Sequence, residues 1–286
     1  YYASRGLGDV YKRQNIHKAQ TAMALSRLSP CLVICDDEAS AIRMTGDINE
    51  MAGEQLACVF PAKDLNFAYM EGVSREYEHK RLEALSLITQ GKCKIIAASM
   101  EACLQGTIPQ DKLKEFSFEI KTGVELSLEE LTSKLLAGGY TRTDQVEGQA
   151  QFSVRGSIAD IFPVQESRPV RIELWGDEVD SISYFDPESQ RRTDPIDEIM
   201  VFPALEIIFP DTDDLVAKLE ALSKSIRGSR TDKIRTNISR DIETAQSGIT
   251  LTNLDKYYTV CYDKLTTVFD YFESCLLYTS PSPRDA

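Results

Sequence analysis

Two arginines and the single tryptophan of this 286-residue chain sit in short strand-like stretches, Arg155 in FSVRG and Arg171 and Trp175 in VRIELW. Guanidinium groups grip carboxylates or phosphates through charge-assisted hydrogen bonds, and Arg and Trp are over-represented among the residues that anchor protein interfaces. Period-two alternation assigns their faces: Val170, Ile172 and Leu174 point into a core, so Arg171, Glu173 and Trp175 point to solvent. Likewise Phe152 and Val154 oppose Ser153 and Arg155. On alternation alone, two explanations stand side by side. Trp175 covers a loop or a packing domain while the arginines make weak surface ion pairs, or the three residues form a binding surface. Charge argues against nucleic acid as the occupant. Residues 151–200 hold five arginines, no lysine and eleven carboxylates, a net charge of −6 that would repel phosphate. A protein partner that accepts a few arginines and an aromatic ring fits better.

Other residues that could carry chemistry lack the company chemistry needs. No G-x-x-x-x-G-K-[ST] loop is present, and Gly91-Lys92 follows a helix-like stretch instead of a strand. CLVICDDE (31–38) imitates a strand ending in a magnesium-binding acidic pair, but without a phosphate loop Asp36 and Asp37 read as helix caps. The chain has two histidines, His17 and His79, neither near a G-x-S-x-G turn, and His79 reads as a solvated residue of a charged helix. Asp177, Glu178 and Asp180 read as a turn and a solvated face. No catalytic, cofactor or metal residue is assigned. The seven cysteines form no C-x-x-C pair and several lie in apolar runs, as expected of reduced, mostly buried thiols in a cytoplasmic protein.

The elements that would position the arginines change in character along the chain. Residues 15–116 alternate buried-strand runs (SPCLVIC, QLACVFPA, CKIIAAS) with helices. One helix carries Ala41, Ile42, Ile48 and Met51 and stops near Gly53; another carries Leu82, Leu85 and Ile88 and stops at Gly91. That pattern predicts parallel βαβ units. Residues 117–204 are different: a capping-box helix begins at Ser127–Glu130 and ends at Gly138-Gly139, then short alternating strands follow to Pro203. This is a small, mostly antiparallel sheet with one helix, inserted into a larger α/β unit that continues over 205–275. DTDDLVAKLEALSKSI reads as helical, and SGITLTNLDKYYTVCYDKLTTVFDYF has no clear domain of its own.

Length implies about two domains, and 42% hydrophobic residues suits a packed core. The net charge of −13 weighs against a broad phosphate-binding surface. No run approaches the ~18 apolar residues of a membrane span. Residues 1–14 and 276–286 show no periodicity continuous with their neighbours and resemble translated sequencing-adapter read-through, so both are set aside as non-native.

The string GGYTRTDQVEGQAQFSVRGSIADIFPVQESRPVRIELWGDEVDSISYFDPESQRR resembles a module shared by two bacterial repair families, the transcription-repair coupling factors and the excinuclease component UvrB. Its specific motifs are F-S-V-R-G-x-I-x-D-I-F-P and V-R-I-E-L-W-G-D-E-V-D-S-I, and weaker similarity extends over about 30–260. The resemblance implies a RecA-like parallel-sheet domain, degenerate and incomplete, with an inserted β-rich α+β domain at 117–204 that binds the excinuclease component UvrA. It carries the partner contacts onto Arg155, Arg171 and Trp175, the last at a position where relatives often carry Phe. UvrB has a phosphate loop and an aromatic DNA-clamping hairpin after its second strand. Here LNFAYMEGVSREYEHKRLEAL runs straight into a helix, so the chain is similar to the N-terminal region of a coupling factor, with a UvrB fragment as the alternative. In the intact family, ATP and Mg²⁺ drive a DNA translocase that acts on RNA polymerase and double-stranded DNA. This stretch lacks those motifs and is expected to need no cofactor and to hydrolyse no ATP.

Overall fold

A computed structural model describes residues 16–63, 75–209, 212–227, 231–247, 251, 254–262, 264–272 and 277–279. The expectation of non-native sequence at 1–14 and that of a missing hairpin at 64–74 lie outside them.

Helix α1 (16–25) leads into strand β1 (Cys31–Cys35), and α2 (Glu38–Ala52) connects β1 to β2 (Ala57–Phe60). Asp37 caps α2 by accepting the Ser40 amide at 2.6 Å, and Gly53 ends it at φ 70°, a left-handed conformation that glycine adopts without a Cβ clash. Helix α3 (Glu76–Thr89) precedes β3 (Ile95–Ser99). β1 and β2 both pair in parallel with β3. Leu277–Thr279, within the segment set aside as non-native, pair in parallel with β1. The side chains of this sheet alternate as a doubly covered parallel sheet requires. Val33, Ile95 and Ala97 pack with Ala41, Met44 and Ile48 of α2, while Leu32, Ile34, Ile96 and Ala98 share the other core with Leu82, Leu85 and Ile88 of α3. Ile42 and Met51, expected on the buried face of α2, are exposed; Met44 takes the inward position.

The short helices α4 (Met100–Leu104) and α5 (Gln110–Glu115) lead to β4 (Phe118–Lys121), which pairs antiparallel with β11 (Glu198–Val201). Between them lie α6 (Leu128–Ala137), β5 (Thr141–Arg142), β6 (Gln151–Arg155), β7 (Ile158–Ile161), β8 (Val170–Trp175), β9 (Glu178–Phe185) and β10 (Arg192–Ile196). These strands form a sheet in the order β10-β9-β8-β7-β6-β5, antiparallel except where β5 meets β6. Phe152, Ala159, Ile161, Val170, Ile172 and Ile182 line its inner face, in one core with Leu131 and Leu135 of α6 and continuous with the α3 side of the parallel sheet. The architecture is therefore mixed α/β, a parallel sheet beside separate antiparallel sheets. A third core joins α7 (Thr212–Ser225) and α8 (Asp232–Gln246) to the segment around Tyr257 and Tyr262.

A buried charge cluster ties these parts together. Arg81 of α3 is fully buried, stacks 3.9 Å over the Phe60 ring, and donates through Nε to Glu206 at 3.0 Å and through Nη1 to the Pro61 carbonyl at 2.9 Å. Lys63 Nζ lies 2.5 Å from both Glu206 and Asp255, and Thr107 donates to Glu206. Burial alone would raise the Glu206 pKa, yet Arg81 and Lys63 hold its carboxyl below the usual value.

Candidate protein-binding face of the antiparallel sheet

Two tight hairpins set the register of the sheet's second face. The β6–β7 loop is Gly156-Ser157 and the β8–β9 loop is Gly176-Asp177, with the glycines at φ 62° and 64°, as two-residue hairpin loops demand. Arg155 is thereby fixed opposite Ile158, and Trp175 opposite Glu178. Across the middle of this face run Ser153, Asp160, Arg171 and Ser183, each paired with the next.

Asp160 is the hub. Its side chain is only 1% exposed, which a carboxylate tolerates when cations and donors surround it. Arg171 approaches it side-on, Nε to Oδ1 at 2.6 Å and Nη2 to Oδ2 at 2.8 Å, a bidentate fork. Arg155 Nη2 donates to the same Oδ2 at 2.8 Å. The turn 186–191 folds over the pair: Arg171 Nη1 donates to the Gln190 carbonyl at 3.0 Å, and Arg171 Nη2 and Arg155 Nη2 reach Gln190 Oε1 at 3.1 and 3.3 Å. Below, the Phe185 ring lies 4.5 Å from the Arg171 guanidinium carbon. Hydrogen bonding to Asp160 pushes the Arg171 pKa further above its already high value, so the charge is permanent.

Arg155 and Arg171 are thus brought together on one carboxylate, but their exposure differs. Arg155 keeps 52% of its side chain accessible, whereas Arg171 keeps 12%. The expectation that Arg171 points to solvent is corrected: the face is right, but the 186–191 turn covers it. Trp175 stands four residues along β8, about 13 Å away at ~3.3 Å per residue, and is 84% exposed. Between them Glu173 pairs with Arg192. Val124, 49% exposed, lies on the segment whose backbone joins β9 at Val179. Sequence reasoning passed over Asp160 and Gln190. A carboxylate in an apolar strand, SIADIFP, was the available signal for the first; nothing local marked the second.

The remaining candidates do not assemble. Among the described residues no group of three or more His, Cys, Asp or Glu could hold a metal ion. Asp36 is exposed beside the cap Asp37, and Asp177, Glu178 and Asp180 are exposed around the β8–β9 loop. His79 is half-buried instead of solvated, and burial pushes its pKa down to about 4. No helix among the described residues is long and apolar enough to cross a membrane.

Residues 118–206, from β4 to the charge cluster, match the family described as the UvrB interaction domain. Most of the chain is similar to curated transcription-repair-coupling factors. It is 30% identical to that of Bacillus subtilis over 258 residues, 88% of this chain and 22% of the relative. The Haemophilus influenzae protein is 26% identical over 269 residues, 92% of this chain and 23% of the relative. The Staphylococcus epidermidis protein is 26% identical over 250 residues, 85% and 21%. The chain therefore spans under a quarter of the length of these relatives.

Proposed function

We propose that this relative of the transcription-repair-coupling factors is a binding module that recruits the excinuclease component UvrA through the second face of its antiparallel sheet, in transcription-coupled nucleotide excision repair. One observation carries the reading. Within the segment matching the UvrB interaction domain, an 84%-exposed tryptophan shares a sheet face with a half-exposed arginine whose geometry is fixed by a buried carboxylate. An exposed large aromatic costs solubility unless it meets a partner, and Trp and Arg are the commonest anchors of such contacts. The fixed arginine reduces the ordering cost of association.

In this reading 117–204 is an insertion in a RecA-like α/β unit made of 15–116 and 205–275. The antiparallel pairing of β4 with β11, where the segment starts and finishes, supports that arrangement. The longer protein would be a cytoplasmic ATP- and Mg²⁺-dependent DNA translocase acting on RNA polymerase, with the stretch described here supplying recruitment and no ATP hydrolysis. The alternative, a UvrB fragment, is not better supported: the three relatives described above are all coupling factors.

The test is a biolayer titration of purified UvrA onto the immobilised chain, with Arg155→Ala and Trp175→Ala alongside. Binding by the parent that both substitutions weaken, with circular dichroism showing both variants folded at the assay temperature, supports the proposal. Equal binding by all three places the contact elsewhere. A phosphate-release assay showing DNA-stimulated ATP turnover by the purified chain would overturn the non-enzymatic reading.

A further inference from the structure

We infer that Arg171 serves this binding surface from beneath: together with Asp160 it is a positioning residue that fixes Arg155 and the 186–191 turn, and the turn meets the partner in its place. The inference rests on the proposed recruitment of UvrA and changes which groups do the touching.

The hydrogen bonds of Arg171 are the first support. A guanidinium presents a rigid fork of donors and accepts nothing. Here Nε, Nη1 and Nη2 are all engaged inside the protein, by Asp160 and by both oxygens of Gln190. One flat face is occupied by the Phe185 ring, and 12% of the side chain remains accessible. A group so committed has little left to offer a partner. Arg155 is the converse, with its interactions to Asp160 and Gln190 running through Nη2 and 52% of its side chain open.

The second support is backbone conformation. Gln190 has φ 58°, the left-handed region that a residue with a Cβ adopts at a cost and glycine adopts freely. The turn is closed by the Gln190 amide on the Asp186 carbonyl at 2.8 Å and the Asp186 amide on the Arg191 carbonyl at 2.9 Å, and glycine would close it equally well. The glutamine adds an amide oxygen within reach of both arginines and an amide nitrogen bonded to the Pro187 carbonyl at 2.7 Å. A strained residue that persists with its side chain fully engaged indicates that the side chain has a task. That task is preorganisation: Glu188 and Arg191, both exposed, are held on a turn locked to the sheet. The complementary partner surface offers carboxylates to Arg155 and Arg191 and an apolar pocket to Trp175.

The experiment uses the whole chain and purified UvrA. Gln190→Gly should leave the melting temperature little changed, because relief of the left-handed strain offsets the lost side-chain bonds, yet weaken binding on the order of tenfold because the turn keeps only its carbonyl bond to Arg171. Arg171→Lys should bind as weakly as Arg171→Ala, since an ammonium cannot replace the fork. The double variant Arg171→Ala/Gln190→Gly should bind no worse than Arg171→Ala alone, as expected for residues acting through one contact. Lysine restoring near-parental binding, losses that multiply in the double variant, or a Gln190→Gly chain that binds like the parent would each overturn the inference. A parent chain that fails to bind, or Trp175→Ala without effect, defeats the recruitment reading instead. In that case amide exchange of the free chain still decides on positioning: Arg171→Ala should deprotect the Asp186 and Gln190 amides, and unchanged protection there overturns it.

Discussion

Replacing Arg81 by alanine strips the central cation from the buried cluster that joins α3 to the segment leaving the antiparallel sheet. Glu206, itself fully buried, would keep Lys63 at 2.5 Å and the Thr107 hydroxyl, but would lose the guanidinium at 3.0 Å. The carbonyls of Pro61 and Gly106, which now accept from Arg81 at 2.9 and 3.1 Å, would lose those donors, and Phe60 would lose its stacked partner. Removing one member of a buried ion pair typically costs ~3–5 kcal/mol, because the other is left desolvated and under-compensated. The remaining Lys63 favours the lower end. For a chain of this size each kcal/mol moves the melting temperature by roughly 2–4 °C, so the Arg81→Ala chain should melt about 6–20 °C below the parent. Circular dichroism melts, repeated as urea titrations, measure this directly. The companion double variant Arg81→Met/Glu206→Met should lose less than the two single changes added together, since it removes both buried charges at once. An Arg81→Ala melt within about 2 °C of the parent would refute the claim that this cluster holds the units together.

Trp175→Ala should leave the melting temperature unchanged, as its ring is 84% exposed, while costing ~2 kcal/mol or more of UvrA binding, roughly 30-fold in Kd; a large loss of fold stability would mean the ring packs internally. Burial, with Glu206 adding to it, pushes the Glu78 pKa from 4.5 up to about 7. The folded state therefore holds an extra proton between those values, and the stability this provides is complete below about 4.5 and lost as pH rises through about 7. Glu78→Gln should accordingly gain urea resistance relative to the parent as pH increases from about 5 to 8, and a constant difference across that range would contradict the shift. At Gly139 the backbone sits at φ 85° and an added Cβ would stand 2.5 Å from Leu205 Cγ, so Gly139→Ala should cost ~2 kcal/mol or more. Gly123, at φ 77° with open space around it, should lose only about half as much on the same substitution; equal losses in the two melts would rule out the Leu205 contact as the cause.

Local pattern reached far in this chain because strand faces and helix caps are local physics. Alternation in VRIELW placed Ile172 and Leu174 in the core, and Asp37, Gly53 and Gly91 marked helix ends that the structure retains. What alternation cannot supply is cover. Arg171 lies on the expected face, but the turn that buries it comes from beyond β9, and the carboxylate that holds it comes from β7. The Arg81–Glu206 pair spans 125 positions in sequence and has no local signature at all. Helix α8 holds few apolar residues, yet Ile238, Ile242 and Ala245 of DKIRTNISRDIETAQ recur at helical spacing and pack into the third core, so part of its signal is local. Its inner face includes Asp241, which accepts from Tyr257 and pairs with Lys256 at 2.5 Å, a polar contact that no hydrophobic periodicity reveals.

The most direct test of the recruitment surface is a photo-crosslink. A benzophenone amino acid placed at position 175, on the second face of the sheet, is compared with one at position 28, where Leu28 is 80% exposed in the turn before β1. On irradiation with purified UvrA, the chain labelled at 175 should yield a covalent adduct, competed away by unlabelled parent, and the chain labelled at 28 should not. Adducts of equal yield from both positions, or an adduct from 28 alone, would contradict the assignment of this face as the UvrA contact.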